Sequence, residues 1–218
     1  RIPHHPFNFY IMPVVVPLFP SVLYSTNLQD NYDEIYDDMI SSYDFISTNS
    51  TEHTYISDEY RVLDYYPDLH KQLAAEFEFF KNEVMKWYNT DFKIVTSWLT
   101  KTEKNGTSLM HCHKNSFYSG VLYFQSMEDI APIEFTNTSV DPGSWMINTP
   151  AEKDQSPINA QSWVINPNKN GLIFFPSHLF HRVKDHQSDE PRYSLAFNII
   201  PVGYIGDSDS RVNIVNIK

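Results

Sequence analysis

The pattern of apolar residues changes near Asn89, and this change limits the fold more than any other feature of the chain. After it, short β-branched and aromatic runs alternate with turn residues as far as the C-terminus, a pattern typical of an all-β unit. The runs are "FKIVTSWLTK", "SLMHCH", "SGVLYFQS", "APIEFTN", "SWVIN", "GLIFFP", "HRVKD" and "RYSLAFNIIPV". Eight such strands predict a mainly β protein with a jelly-roll core, a double-stranded β-helix of two sheets.

The first third of the chain predicts N-terminal helices that pack outside one of those sheets. Leu28, Tyr32, Ile35 and Met39 recur at helical steps, and acidic residues lie between them. Pro67 suits the first turn of a second helix. The apolar stripe of that helix consists of Leu69, Leu73, Phe77, Phe80, Val84 and Trp87.

We expect one domain over residues 1–218, with a helical N-terminal part at 1–90, the jelly-roll core at 91–205 and a tail at 206–218. Within the N-terminal part, the polar segment Ser41–Tyr60 has no period and predicts a loop or an irregular strand. The alternation of Val and Ile in the tail is compatible with an edge strand.

Charge and cysteine content narrow the choice of partners. The chain has 16 Lys and Arg against 27 Asp and Glu, a formal net charge of -11, so we expect neither nucleic acid nor an anionic membrane as a partner. The apolar stretch "YIMPVVVPLFP" is cut by three prolines and is too short to span a bilayer. The single cysteine cannot form an intramolecular disulfide, which favours a cytoplasmic protein.

Three histidines are candidate metal ligands. His111 and His113 lie two residues apart on a predicted strand, so their side chains point to one face while Cys112 points to the other. His181 lies at the start of a later strand. Together the three supply ligands on one side of a metal and leave the opposite positions open to substrate. The alternative is an ordinary set of half-buried histidines.

The run "RYSLAFN" carries a candidate anion site. Arg192 and Ser194 share one strand face, so a fork of guanidinium donors and a hydroxyl are available to one carboxylate. A charged side chain that points into a barrel is costly unless it is paired, and an acidic small molecule would supply the partner. Asn198 shares this face and is a candidate to line the same pocket, with a buried structural amide as the alternative.

Several of these segments resemble a known family. "HCHKNSFYSGVLYF", "GLIFFPSHLFHRV" and "RYSLAFN" are similar to the core of the iron(II)- and 2-oxoglutarate-dependent oxygenases, most closely to small oxygenases of bacteria and phages related to prolyl hydroxylases. The resemblance is strongest from Ser97 to Pro201. It implies Fe(II) as the metal, 2-oxoglutarate as the cosubstrate, molecular oxygen as the oxidant, and a small molecule or a peptide as the prime substrate. A phage origin would place the protein in the cytoplasm of a host cell.

The resemblance also implies roles for individual residues. His111 and His181 match the two histidines that bind iron. Arg192, together with Ser194, would grip the distal carboxylate of 2-oxoglutarate. Tyr123 matches a tyrosine that bonds the same carboxylate, and its alternative role is that of a core aromatic.

His113 departs from the usual first motif of the family, H-x-D, which supplies a carboxylate ligand. Three interpretations are open: His113 ligates the metal directly; it stands aside and leaves a position for water or halide; or the ligand pair is His113 with Asn115. Direct ligation is favoured because imidazole suits iron(II). Loss of the carboxylate makes the site one unit more positive.

The expected activity is therefore that of a dioxygenase that hydroxylates an unidentified substrate and releases succinate and CO2. A cupin-like barrel that binds metal without redox turnover is one alternative, and a halogenase with an open third position is another. The remaining histidines considered, His53, His70, His178 and His186, are expected to be solvated.

Overall fold

The computed structural model describes residues 20–47, 52–125, 130–137, 152–156 and 158–215. Its strands are β1 Tyr24–Asn27, β2 Phe45–Ser47, β3 Thr54–Ser57, β4 Asp91–Thr102, β5 Tyr118–Tyr123, β6 Ile133–Thr136, β7 Ser162–Ile165, β8 Gly171–Pro176, β9 Phe180–Val183, β10 Arg192–Ile205 and β11 Val212–Ile214. The α-helices are α1 Asp33–Ser42 and α2 Pro67–Phe79, and a π-helical turn, Phe80–Met85, continues α2. Short 3₁₀ turns lie at Val62–Tyr65, Glu152–Asp154 and Ser208–Ser210.

Two antiparallel sheets form the body of the protein. The large sheet has the order β1-β8-β5-β10-β4-β3-β2, and β11 pairs with the end of β10. The small sheet has the order β7-β6-β9. Neighbours in these sheets are mostly distant in sequence, as expected of a jelly roll. The predicted fold class, a mainly β jelly roll with helices against one sheet, is confirmed.

The two faces of the large sheet bury different cores. On one face, α1 and α2 complete a helix-side core, which includes Met39, Leu73, Phe77, Leu122, Phe174 and Phe197. On the other face, the small sheet closes a barrel core, which consists of Val121, Tyr123, Ile133, Phe135, Ile173, Phe175 and Ala196. Strand alternation sends successive residues to opposite cores, so the central strands β5, β8 and β10 are buried on both faces.

Helix α2 begins where the sequence predicts it. Pro67 occupies its first turn, where the missing N–H costs no intrahelical bond. Leu69, Leu73 and Phe77 are buried on one stripe, and Phe80 continues that stripe into the π-helical turn. Helix α1 begins only at Asp33, so Leu28 is buried ahead of the helix rather than within it.

The N-terminal part contributes strands as well as helices. β1 lies at one edge of the large sheet, while β3 and β2 lie at the other, inside the segment Ser41–Tyr60 that lacks a period. The tail forms β11, which pairs with the end of β10 as an edge strand. No helix among the described residues is both long and apolar enough to cross a membrane.

One predicted strand is wrong. The segment Ser108–His113 forms no ladder; its only strand-like contact is an isolated antiparallel bridge between His111 and His181. The segment runs beside β9, where Ser108 donates its N–H to the Val183 carbonyl oxygen at 3.1 Å. The pairing is broken because the chain then turns away, and His113 donates its N–H to Ser177 instead, at 2.9 Å.

Candidate metal centre

Three histidine rings converge at one end of the barrel. One ring nitrogen from each of His111, His113 and His181 lies within 4.8 Å of the others. The backbones of His111 and His181 hold the pair together through two reciprocal hydrogen bonds of 3.0 and 2.8 Å. The rings of His111 and His113 are nearly parallel, with centroids 5.3 Å apart, so they share a side even without a regular strand. The structure therefore brings together all three predicted ligands.

Each of these rings is oriented by a hydrogen bond on its Nδ1 atom. The Nδ1 atoms of His111 and His181 lie 2.7 and 2.9 Å from the carbonyl oxygens of Leu109 and Leu179. A carbonyl oxygen accepts only, so both Nδ1 atoms carry the proton. The Nε2 atom of each ring then keeps its lone pair, which is the form of imidazole that binds a metal.

Burial keeps two of the ligands neutral. Burial lowers the pKa of His181 to about 3, and the neighbouring His111 adds to the shift. Burial also lowers the pKa of His113. His111 is exposed, so this side of the cluster is accessible to solvent. The cluster thus offers a metal two buried, neutral imidazoles and one exposed imidazole.

Aromatic side chains surround the buried side of the cluster. The ring centroids of Phe175 and Phe135 lie 4.9 and 5.7 Å from that of His181. Trp98 packs against His113 at 5.4 Å. Such contacts fix the ring positions and exclude water from the inner side of the site. No sequence motif marks Trp98 or Phe135 as part of a site, since an aromatic in a strand is more often part of a core.

No carboxylate or thiolate of the described residues joins the three histidines. Cys112 lies between two of them in sequence, but its sulfur is not part of the cluster, as strand-like alternation predicts. Glu134 is paired instead with Arg182, at 2.7 Å from its Nε atom. A divalent ion held here would keep its full charge of about +2, because imidazole contributes none.

Arg192 is buried inside the barrel without a carboxylate partner among the described residues. Its side chain is 1% exposed and donates to the Ser194 hydroxyl at 3.2 Å and to the Ala131 carbonyl oxygen at 3.1 Å. Burial lowers the pKa of Arg192, since the charged form has lost its water. These two bonds use only part of the five donors of a guanidinium. The barrel therefore holds a buried cation, some of whose donors have no acceptor among the described residues.

The hydroxyl of Tyr123 lies beside this cation and is also unsatisfied. It is fully buried and has no partner at good hydrogen-bond geometry among the described residues, although the Arg192 side chain lies close enough to interact with it. The Arg192 guanidinium carbon lies 5.3 Å from the centroid of the Tyr123 ring. Burial raises the pKa of Tyr123 against the opposing effect of the Arg192 charge, so its hydroxyl keeps its proton and remains a donor. An unpaired cation and an orphaned hydroxyl are together what a small carboxylate would satisfy.

His186 binds the backbone of Ala131, which accepts a hydrogen bond from Arg192. The prediction that His186 is solvated is wrong. The side chain is fully buried. Its Nε2–H donates to the Glu190 carbonyl oxygen at 2.7 Å, and its Nδ1 accepts from the Ala131 N–H at 3.3 Å. The carbonyl oxygen of Ala131 in turn accepts from Arg192. No motif marked this residue, because its partners are backbone groups brought near by the fold.

Other predicted residues take ordinary places. His53 and His178 are exposed, and His70 is half-buried on α2. Asn115 is exposed in a turn with a φ of 61°, outside the histidine cluster. Among the described residues, the side chain of Asn198 forms hydrogen bonds with His113, Ser119 and Thr96 rather than with Arg192.

Part of the chain matches a known protein family. Residues 96–198 match the family model described as "Putative 2OG-Fe(II) oxygenase". No curated protein is significantly similar in sequence to the chain.

Solved structures share the fold at low sequence identity. A 2OG-Fe(II) oxygenase family oxidoreductase from Burkholderia pseudomallei superposes with a TM-score of 0.54 at 12% identity, covering 76% of each chain. HygX from Streptomyces hygroscopicus, solved with nickel, 2-oxoglutarate and hygromycin B, gives 0.54 at 9% identity over 82% of each chain. A Trichoplax adhaerens prolyl hydroxylase, in complex with a peptide fragment of hypoxia inducible factor, gives 0.50 at 12%, covering 82% of this chain and 83% of the other.

The family match includes every residue singled out for the metal and for the carboxylate. His111, His113 and His181 lie inside it, as do Tyr123 and Arg192. Residues 96–198, just under half of the chain, thus resemble the 2OG-Fe(II) oxygenase family, and solved structures of that family share the fold.

Proposed function

We propose that this protein is a non-haem iron(II) dioxygenase that uses 2-oxoglutarate to hydroxylate a prime substrate, with release of succinate and CO2. The observation that carries the proposal is the combination of two sites in one barrel. Three imidazoles converge with free Nε2 atoms, and a buried Arg192 with unused donors lies beside the orphaned hydroxyl of Tyr123. A structural core has no need of either arrangement.

The chain's own residues have distinct tasks in this proposal. The Nε2 atoms of His111, His113 and His181 hold Fe(II). Arg192 and Ser194 bind the distal carboxylate of 2-oxoglutarate through charge-assisted bonds, and Tyr123 donates its hydroxyl to the same group. When bound, Fe(II) and 2-oxoglutarate would supply the activation of molecular oxygen, with one oxygen atom going to succinate and the other to the prime substrate.

Direct ligation by His113 is the arrangement that the geometry supports best. Its ring nitrogen lies within the same 4.8 Å set as those of His111 and His181. A halogenase would need the position of His113 open to halide. The third interpretation, with His113 and Asn115 as the ligand pair, is disfavoured because Asn115 is exposed in a turn outside the cluster. The site is therefore proposed as a three-histidine centre, in which His113 stands where the family usually has aspartate.

The prime substrate is proposed to be a small molecule or a peptide side chain. Both kinds occur among the structural relatives: HygX was solved with hygromycin B and the Trichoplax enzyme with a peptide. The segment Thr136–Ala160, expected to shape the pocket, lies largely outside the described residues.

We place the reaction in the cytoplasm, where a lone thiol such as Cys112 stays reduced.

The proposal is tested by succinate formation. Anaerobically purified protein is loaded with Fe(II) and 2-oxoglutarate and then exposed to air, with His181→Ala as the control. Succinate that requires iron, oxygen and His181 is the expected result. If the wild-type protein binds iron but forms no succinate, even when offered peptide and small-molecule substrate libraries, a metal-binding barrel without redox turnover becomes the better account.

A further inference from the structure

His113 is supported differently from the other two histidines. His111 and His181 each bond a carbonyl oxygen two residues earlier in their own segment, so local backbone sets their orientation. The Nδ1 atom of His113 lies 2.7 Å from the side-chain oxygen of Asn198 on β10. The hydroxyl of Ser119 on β5 lies 3.3 Å from the same Nδ1 atom, so the orientation of this one ring depends on side chains from other strands, with Asn198 the nearer partner.

The amide of Asn198 is itself fixed on both sides. Asn198 pairs with Thr96 on β4 and with Ser119 on β5. Its Nδ2 donates to the Thr96 hydroxyl at 3.1 Å, and its Oδ1 accepts from the Ser119 hydroxyl at 2.9 Å. With Nδ2 used towards β4, the oxygen faces His113. An acceptor at this point requires the proton of His113 to be on Nδ1.

The backbone also changes at this residue. The register between β10 and β4 shifts between Asn198 and Ile199, because Asn198 pairs with Thr96 while Ile199 pairs with Ile94. Val95 is therefore the extra residue of a β-bulge. Bulges bend a strand and re-aim its side chains, and they are frequent beside active sites. Here the bulge immediately follows the pair that orients the amide.

We propose that Asn198 is the positioning residue that makes His113 a metal ligand. The amide oxygen accepts the Nδ1 proton of His113 and so keeps the Nε2 lone pair directed at the other two histidines. The amide is neutral, so it orients the ligand without restoring the negative charge that the missing aspartate would have supplied. This inference rests on the proposed function, because it assumes that the three histidines bind the metal.

Binding of cobalt(II) to the metal-free protein tests the inference without any turnover. Asn198→Leu removes the acceptor at similar size, and Asn198→Asp keeps an oxygen in place. We expect Asn198→Leu to bind cobalt about 10- to 100-fold more weakly, as found for partners of metal ligands. Its ligand-field absorption should change, because one imidazole is lost from the metal. Asn198→Asp should restore both affinity and a three-nitrogen spectrum.

Thr96→Val provides a second variant that leaves Asn198 in place. It removes only the bond to the Nδ2 atom, so we expect a smaller loss of cobalt affinity, with the same direction of spectral change. The thermal unfolding midpoint of each metal-free variant is measured alongside. If a variant binds cobalt more weakly while its unfolding midpoint is unchanged, the substitution acts on His113 as a metal ligand and not on the stability of the fold.

The outcomes distinguish the role of Asn198 from the existence of the metal centre. Wild-type affinity and spectrum in both Asn198→Leu and Thr96→Val would overturn the role of Asn198 while leaving the metal site intact. Failure of Asn198→Asp to restore binding would also overturn it, because an acceptor at this point would then be insufficient. If wild-type protein and His181→Ala bind cobalt equally, the proposed metal centre itself is wrong.

Discussion

Successive residues of β10 point to opposite faces of the large sheet, and the two faces have different roles. Leu195 and Phe197 are fully buried against the helices in an apolar core. Arg192, Ser194 and Asn198 point the other way, into the barrel, where they carry a charge, a hydroxyl and an amide. The helix-side face stabilises the fold by burying apolar area. The barrel face carries polar groups, and one of them, Arg192, keeps donors that have no acceptor within the described residues.

This comparison predicts that substitutions on the helix side change stability most. Phe77→Ala removes a ring that contacts Phe80, Phe92, Tyr118 and Phe174 at centroid distances of 5.2 to 5.7 Å. We expect a loss of about 3–5 kcal/mol in the free energy of unfolding, measured by denaturant titration. Phe79→Ala, at an exposed position of the same helix, should cost less than about 0.5 kcal/mol. Equal losses for the two would contradict the assignment of the core.

On the barrel face, Arg192→Met should change binding rather than stability. Loss of charge-assisted bonds worth about 1.5–3 kcal/mol should raise the KM for 2-oxoglutarate about 10- to 100-fold or more. The unfolding free energy should stay equal or rise, because an apolar side chain avoids the cost of a buried charge. The matched control is Arg182→Met, whose side chain is exposed on the small sheet. A KM that is unchanged in Arg192→Met would remove this residue from the cosubstrate site.

The buried histidines give the barrel face a pH dependence. The pKa of His181 is lowered by burial to about 3 from an ordinary value of 6.5, so between these values the unfolded chain binds more protons than the folded one. The free energy of unfolding of the metal-free protein should therefore fall on acidification from about pH 6.5 towards pH 3, by at most about 1.4 kcal/mol per pH unit for this group. His113 adds in the same direction. His181→Leu should show a shallower slope, and an identical slope would mean that His181 is not buried in solution.

The smallest effect is expected where a residue acts through its neighbours. His186→Leu breaks the bond to the Ala131 N–H and so loosens the carbonyl group that holds Arg192. One such bond contributes about 0.5–1.5 kcal/mol, so the KM for 2-oxoglutarate should rise about 2- to 12-fold while kcat changes little. His178→Leu, at an exposed position, is the control. A fall in kcat alone would show that His186 acts elsewhere.

Much of the fold follows from local pattern. The switch from helical to strand periodicity near Asn89 predicts the jelly roll, and Pro67 marks the start of α2. The helical period also assigned Leu28 to α1, although the helix begins at Asp33, because a buried residue ahead of a helix fits the same stripe. The short strands β2 and β3 gave no periodic signal, since each is only three or four residues long; β2 is the edge strand of the large sheet and β3 is its neighbour.

For the candidate site, the sequence predicted the metal ligands better than the groups that orient them. The spacing of His111 and His113, and the position of His181, were enough to predict that the three rings come together. Their partners could not be predicted, because Leu109 and Leu179 act through carbonyl groups and Asn198 comes from β10. His186 was expected at the surface, since only the folded chain shows that backbone groups satisfy both of its nitrogens.

The central claim is that three imidazoles, and no carboxylate, hold the iron. X-ray absorption spectroscopy of the anaerobic, Fe(II)-loaded protein tests it directly, because multiple scattering counts the imidazole ligands. We expect three imidazoles in the wild-type protein and two with one added carboxylate in His113→Asp. Two imidazoles in the wild-type protein, with water, halide or another ligand in place of His113, would contradict the account.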